Sequence, residues 1–207
     1  MIFQGTQIRV VLFDVGGVLV ELSGMAVFLS WLQNRISAED FYAVWLASPT
    51  VRAFETGRTQ AAAFAEQIIT ELDLPVGREE FLREFRSWNR RLLPGAVELT
   101  RRLGPDYTLA TLCNTNTLHW PNFMGHRDLF AGFDHHFASH LTGKIKPDEE
   151  AFQHVAVTLG CEAPEILFLD DSRLNVAAAK NIGMAAFQVR GPAEAEQALR
   201  AAGVLAE

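Results

Sequence analysis

One acidic residue sits inside an otherwise unbroken apolar run near the start of the chain, Val10-Val11-Leu12-Phe13-Asp14-Val15-Gly16-Gly17-Val18-Leu19-Val20. Such a run, rich in β-branched residues, reads as a strand buried on both faces of a parallel sheet. An unpaired carboxylate there costs several kcal/mol or shifts its proton equilibrium, so Asp14 must have partners elsewhere in the chain. The two glycines that follow turn the backbone sharply and free its amides. Open α/β sheets place their chemistry at the carboxyl ends of central strands. Asp14 is therefore read as a nucleophile and metal ligand.

The pattern along the chain supports that sheet. Residues 8–14 read as the first strand, and residues 24–91 then read as successive helices. Apolar side chains recur there at helical spacing (Phe28, Leu29, Trp31 and Leu32; Phe41, Val44 and Trp45; Phe64, Ile68 and Leu72; Phe81, Phe85 and Trp88). Ser37 with Asp40 resembles a capping box. From Leu93-Pro94-Gly95 onward strands and helices alternate: helix 95–103, strand 107–113, a short strand at 137–141, helix 148–159, strand 166–170, helix 174–182, strand 185–189 and helix 193–202. Alternation of this kind predicts an α/β fold with a Rossmann-like, doubly wound parallel sheet. The helical stretch is too long for an ordinary crossover and predicts an inserted helical cap. The expected division is a core of residues 1–20 and 93–207 and a cap of residues 21–92.

Four polar sites fall just past strands: Asp14, the Cys113-Asn114 step, Lys146 in Gly143-Lys144-Ile145-Lys146-Pro147, and Asp170-Asp171. Strands of a parallel sheet share one carboxyl edge, so these groups converge. Asp14 and Asp170 can hold Mg²⁺, which prefers oxygen ligands. Lys146 offsets their charge and binds phosphate as a point cation. Gly16 and Gly17 can turn amides toward phosphate oxygens. The combination points to metal-assisted phosphoryl transfer through an aspartyl-phosphate. Asp171 reads as a helix N-cap or as a group behind the metal site, and Asn175 as a residue that orients the loop. Lys144 reads as solvated. Cys113 reads as a small buried side chain rather than a reactive thiol, Trp31, Trp45 and Trp88 as core of the helical block, and His135, His136 and His140 as loop histidines without a metal. His119 and Trp120 are placed where they could face the cleft.

The strings LFDVGGVLV, LCNTNTLHW, GKIKPDEEAF and FLDDSRLNVAAAKNIGM, in that order, resemble the haloacid dehalogenase-like hydrolase superfamily. They look closest to the branch of α-D-glucose-1-phosphate phosphatases and the N-terminal phosphatase region of soluble epoxide hydrolases. The resemblance implies a nucleophilic, Mg²⁺-binding Asp14, a metal-facing backbone carbonyl at Gly16, phosphate contacts from Cys113 and Asn114, a steadying Lys146, and Asp170 as a metal ligand. Two departures stand out. The general acid that family phosphatases carry two residues after the nucleophile is here Gly16, and the hydroxyl of the second motif is here the Cys113 thiol, a weak donor. Loss of general acid–base help costs about 10²–10⁴-fold in rate.

The expectation is a Mg²⁺-dependent phosphatase acting on a small phosphorylated metabolite, with a sugar phosphate as a candidate because an anomeric phosphate leaves easily. One alternative is a metal-independent 2-haloacid dehalogenase, which needs a carboxylate-binding arginine among Arg35, Arg52 and Arg58. The other is a weakly active or non-catalytic binding protein. A net charge of −7 without a basic cluster argues against a nucleic-acid partner. No uncharged run reaches the ~18 residues of a membrane span. With two cysteines out of metal spacing and no visible secretory signal, a cytoplasmic chain is expected.

Overall fold

The structure, a computed structural model, describes residues 2, 3, 5–33, 35–89 and 91–206. A short antiparallel pair, β1 (Ile2–Phe3) and β2 (Thr6–Gln7), precedes β3 (Val10–Phe13). Helices α1 (Met25–Trp31), α2 (Ala38–Ala47), α3 (Pro49–Glu55), α4 (Ala61–Glu71) and α5 (Arg78–Ser87) follow without an intervening strand. The chain then alternates through α6 (Ala96–Leu103), β4 (Thr108–Cys113), α7 (Trp120–Met124), α8 (Arg127–Phe130), β5 (His135–Ala138), α9 (Ser139–Thr142), α10 (Glu149–Leu159), β6 (Ile166–Asp170), α11 (Arg173–Asn181), β7 (Ala185–Gln188) and α12 (Gly191–Ala201). The main sheet has the order β5-β4-β3-β6-β7, and every pairing is parallel. This is the expected Rossmann-like α/β architecture, with β3 at its centre.

Alternation along β3 explains how the sheet is covered. Val11 and Phe13 face one apolar layer, with Leu99 and Leu103 of α6 and Leu199 of α12. Val10 and Leu12 face the other, with Phe152 and Val155 of α10 and Val176 of α11. Both faces of the strand are thus buried, as a parallel strand requires.

Helices α1–α5 have a core of their own, built on aromatic rings that include Phe28, Trp45, Phe54, Phe64, Phe81 and Phe85. Phe54 and Phe64 stack with centroids 4.2 Å apart. Ser37 caps α2 by accepting from the Asp40 amide at 3.1 Å, as the Ser37/Asp40 spacing predicts. Ser48, followed by Pro49 at the first position, caps α3 by accepting from the Val51 amide. The chain segments that lead into and out of this helical block pair with each other: Val20 bridges Leu92 antiparallel, Glu21 N–H donates to Arg91 O and Leu93 N–H to Leu19 O, both at 2.9 Å.

Two local expectations are corrected. The strand placed at 137–141 lies at residues 135–138, because Ser139 to Thr142 turn into α9. The 24–91 helical reading also passed over the break at Ser48-Pro49 that separates α2 from α3. No helix among the described residues is long and apolar enough to cross a membrane.

The Phe54–Phe64 stack gives the helical block its tightest ring contact. Phe64→Ala should therefore cost about 3–5 kcal/mol of stability, read as a lower urea midpoint.

Candidate active site

Asp14 follows β3 directly, and its amide donates to Leu169 O at 2.8 Å, extending the ladder by one bond. Asp170 closes the neighbouring strand β6. The two carboxylates are thereby fixed side by side at the carboxyl edge of the sheet. Lys146 reaches between them: its Nζ donates to Asp14 Oδ1 at 2.6 Å and to Asp170 Oδ2 at 2.7 Å. The lysine is 1% exposed and Asp170 fully buried. Burial alone pulls the Lys146 ammonium down, but Asp14 and Asp170 outweigh it and hold the group well above its ordinary value. It is a fixed cation.

The surroundings hold this trio in place. Asn114 grips the main chain of Lys146 from both sides, its Oδ1 accepting from Lys146 N–H at 2.9 Å and its Nδ2 donating to Lys146 O at 2.8 Å. Asn114 thus sits at the site, with its carboxamide engaged on Lys146. Asn175 donates through Nδ2 to both oxygens of Asp170 at 3.0 Å, and lies 3.3 Å from the Tyr42 hydroxyl of α2. It orients Asp170 rather than the loop alone, and it ties the helical block to the sheet edge.

Of the two roles open to Asp171, the cap falls to its neighbour. Ser172 occupies the N-cap of α11, and the amide of Ser172 is taken by Asp170 Oδ1 at 2.8 Å. The Asp171 side chain instead lies against the glycine loop. A Cβ at Gly17 would fall 2.4 Å from Asp171 Oδ2, and Gly17 has φ +77°, so both space and backbone conformation demand glycine there. Carboxylate oxygens of Asp14, Asp170 and Asp171 lie within 4.8 Å of one another and could hold a metal ion. Three carboxylates against the one Lys146 ammonium leave a formal surplus of two negative charges, 3 − 1 = 2. Burial, reinforced by the neighbouring acids and opposed by Lys146, pushes Asp14 up to about 8. Burial and then Asp170 push Asp171 up to about 6. A divalent cation among oxygen donors matches that surplus in sign, size and ligand type, so the donor set fits Mg²⁺.

Gly16 lines the same cavity. The space a side chain would take at position 16 is filled by Leu22, whose Cδ2 would lie 2.8 Å from an added Cβ. Cys113 is buried there too, and burial followed by Asp14 raises its thiol well above its ordinary value, so it is a neutral group. Beyond the polar floor the cavity, of about 140 Å³, is walled by the helical block, chiefly Phe41, Trp45, Phe85 and Trp88. Trp45 and Trp88 are therefore both core and wall, whereas Trp31 is core only. Trp88 packs so closely on Gly24 that a Cβ there would sit 1.8 Å from the indole. His119 faces the cavity, while Trp120 packs away from it against Phe123 and Phe130. The His119 Nε2 lies 2.6 Å from Phe85 O, an acceptor, so Nε2 carries the proton. Burial, against that bond, pulls the imidazole down to about 4.

The remaining sequence candidates lie elsewhere. Lys144 meets Glu150 at 3.4 Å on the surface. The histidines at 135, 136 and 140 form no metal-competent group among the described residues. Arg35 donates to the carbonyls of Leu32, Leu72 and Asp73. Arg52 pairs with Asp148, and neither it nor Arg58 lines the cavity. Sequence reasoning missed Tyr42, half-buried, and Glu55, buried, both lining the cavity and both contributed by the helical block.

A haloacid dehalogenase-like hydrolase family model matches residues 8–183. The chain belongs to this family. It is 30% identical to a sesquiterpene phosphatase of Aspergillus oryzae, over 86% of this chain and 88% of that protein. It is 30% identical to bifunctional epoxide hydrolase 2 of Rattus norvegicus over 53% of this chain, and that match spans 20% of the larger protein. Among solved structures, an enzyme of the same family from Bacteroides thetaiotaomicron, determined with magnesium and inorganic phosphate, superposes with a TM-score of 0.68. It is 24% identical, with 88% of this chain and 94% of that chain covered. The family resemblance drawn from the four motifs is upheld.

Removing the cation from this cluster leaves buried carboxylates unpaired. Lys146→Met should cost about 3–5 kcal/mol in metal-free buffer, measured by urea unfolding against the unsubstituted chain.

Proposed function

We propose that this hydrolase is a Mg²⁺-dependent phosphatase that cleaves the phosphate monoester of a small, largely apolar alcohol. The observation that carries the reading is the Lys146 ammonium held between Asp14 and Asp170 with Asp171 beside them. In this reading Asp14 attacks phosphorus, forming an aspartyl-phosphate and releasing the alcohol; water then returns the carboxylate. Lys146, fixed as a cation by its two partners and by Asn114, neutralises charge on the phosphoryl oxygens and keeps the nucleophile aimed. Asp14, Asp170 and the Gly16 carbonyl would hold Mg²⁺, with Asp171 beside them, and the ion would supply further charge stabilisation. Cys113 and Asn114 border the phosphate position.

The helical block, residues 21–92, is the cap in this reading, and it sets the substrate class. A sugar phosphate presents hydroxyls that need partners, but the walls offer rings: Phe41, Trp45, Phe85 and Trp88. Burying an apolar chain on such walls contributes about 25 cal/mol per Å². The Aspergillus oryzae relative, a sesquiterpene phosphatase, agrees with an apolar substrate. At about 140 Å³ the cavity is smaller than the ~300–1,000 Å³ of ordinary ligand pockets, so the cap opens to admit substrate. The dehalogenase alternative lacks its carboxylate anchor, since among the described residues no arginine lines the cavity.

The expected outcome of a phosphate screen is turnover that requires Mg²⁺, stops in EDTA, and disappears in Asp14→Asn. Halide release that persists in EDTA would establish the dehalogenase instead. Aryl and isoprenyl phosphates should exceed sugar phosphates in kcat/KM by at least about tenfold, equivalent to ~1.4 kcal/mol, and Trp88→Ala should erase most of that preference.

A further inference from the structure

Position 16 is glycine, so the residue two after the nucleophile has no side chain to protonate a leaving alkoxide. Another group lining the cavity must then hold a proton and give it up. Asp14 is the nucleophile and Asp171 belongs to the carboxylate cluster. Lys146 stays charged between its two partners. The single imidazole N–H of His119 is committed to Phe85 O. The Cys113 thiol and the Tyr42 hydroxyl are both pushed up, by burial first, and do not release protons at neutral pH.

One group remains. Glu55, the last residue of α3, lines the cavity and is 6% exposed. Its Oε1 accepts from Trp45 Nε1 at 3.1 Å, which fixes the carboxyl against α2. Its Oε2 is buried without a hydrogen-bond partner. A buried carboxyl with one anchored and one free oxygen is stable only if the free oxygen carries a proton or meets a ligand.

We propose that Glu55 is the general acid and base of this hydrolase, supplied by the helical block in place of the side chain that Gly16 lacks. This assignment rests on the phosphatase reading above. In the first step Asp14 forms a bond to phosphorus as the ester P–O bond breaks, and the Glu55 proton passes to the departing alkoxide to give the free alcohol. In the second step the Glu55 carboxylate takes a proton from water as its oxygen bonds to phosphorus. The P–O bond to Asp14 then breaks, leaving inorganic phosphate, free Asp14 and a protonated Glu55. Burial raises Glu55 to about 7, against the Trp45 bond and the nearby cations Lys146 and Arg52, which suits a group that must do both jobs near neutrality. The Cys113 thiol, whose charge would act on Glu55, is neutral there because burial raises it well above its ordinary value.

The test is Glu55→Gln, which keeps an acceptor for Trp45 but cannot transfer the proton, assayed in Mg²⁺ with an alkyl phosphate and with p-nitrophenyl phosphate. Turnover of the alkyl ester should fall about 10²–10⁴-fold. With p-nitrophenyl phosphate, whose leaving group needs no acid, the variant should release one equivalent of nitrophenol in a burst and then stall as the aspartyl-phosphate. Glu55→Asp should recover part of the alkyl activity. In the unsubstituted chain, the ratio of alkyl to aryl first-step rates should fall as pH rises through neutrality, a readout that needs no variant to fold. Equal losses on both esters without a burst, or a pH-independent ratio, would overturn the Glu55 assignment while leaving Asp14 untouched. Activity retained by Asp14→Asn would instead overturn the phosphatase reading itself.

Discussion

A lysine ammonium buried between two aspartates is the interaction on which this active site turns. Parallel strands β3 and β6 bring Asp14 and Asp170 to one edge, where their charges would repel in a medium that screens poorly. Lys146 makes that placement tolerable, and Asn114 in turn holds the main chain from which Lys146 extends. The arrangement is deliberately incomplete as a charge balance, because Asp171 adds a third carboxylate. The excess negative charge makes the edge of the sheet a place that could hold a divalent cation.

Above this floor the chemistry changes character. The sheet edge is polar, while the helical block contributes rings, a half-buried tyrosine and a buried glutamate. Tyr42 meets Asn175, which holds Asp170, and Phe85 accepts from His119, so the block is hydrogen-bonded into the floor rather than merely laid upon it. In the proposed function, reaction type and substrate preference are therefore carried by different parts of the chain, joined by a few polar contacts.

The parts legible in the sequence were those with a strong local contrast. Asp14 and Asp170 each end an apolar strand, so their convergence followed from parallel topology, whereas Lys146, which lies beyond α9 rather than at the end of β5, was legible through the family string around it. Glu55 was illegible for the opposite reason. In Val51-Arg52-Ala53-Phe54-Glu55-Thr56-Gly57 it looks like one more polar residue at a helix end, and only the packing of α3 against α2 and α9 reveals that it points inward. Asp171 was left between two roles because an acid before a helix is often a cap; here Asp170 takes the Ser172 amide, and Asp171 joins the carboxylate cluster. Trp45 and Trp88 show that helical spacing identifies a buried face without telling whether that face ends in core or in cavity.

The paired segments 19–21 and 91–93 carry a consequence of their own. Because the chain leaves the sheet and returns to it through one hydrogen-bonded ribbon, the main chain enters and leaves the helical block at one place. Termini that close together are the condition under which one module can be inserted into another. The block is in that sense a replaceable cassette: under the proposed function, a different set of helices grafted onto the same ribbon would change which alcohol is recognised and what protonates it, while Asp14, Lys146 and Asp170 would stay on the sheet side of the ribbon.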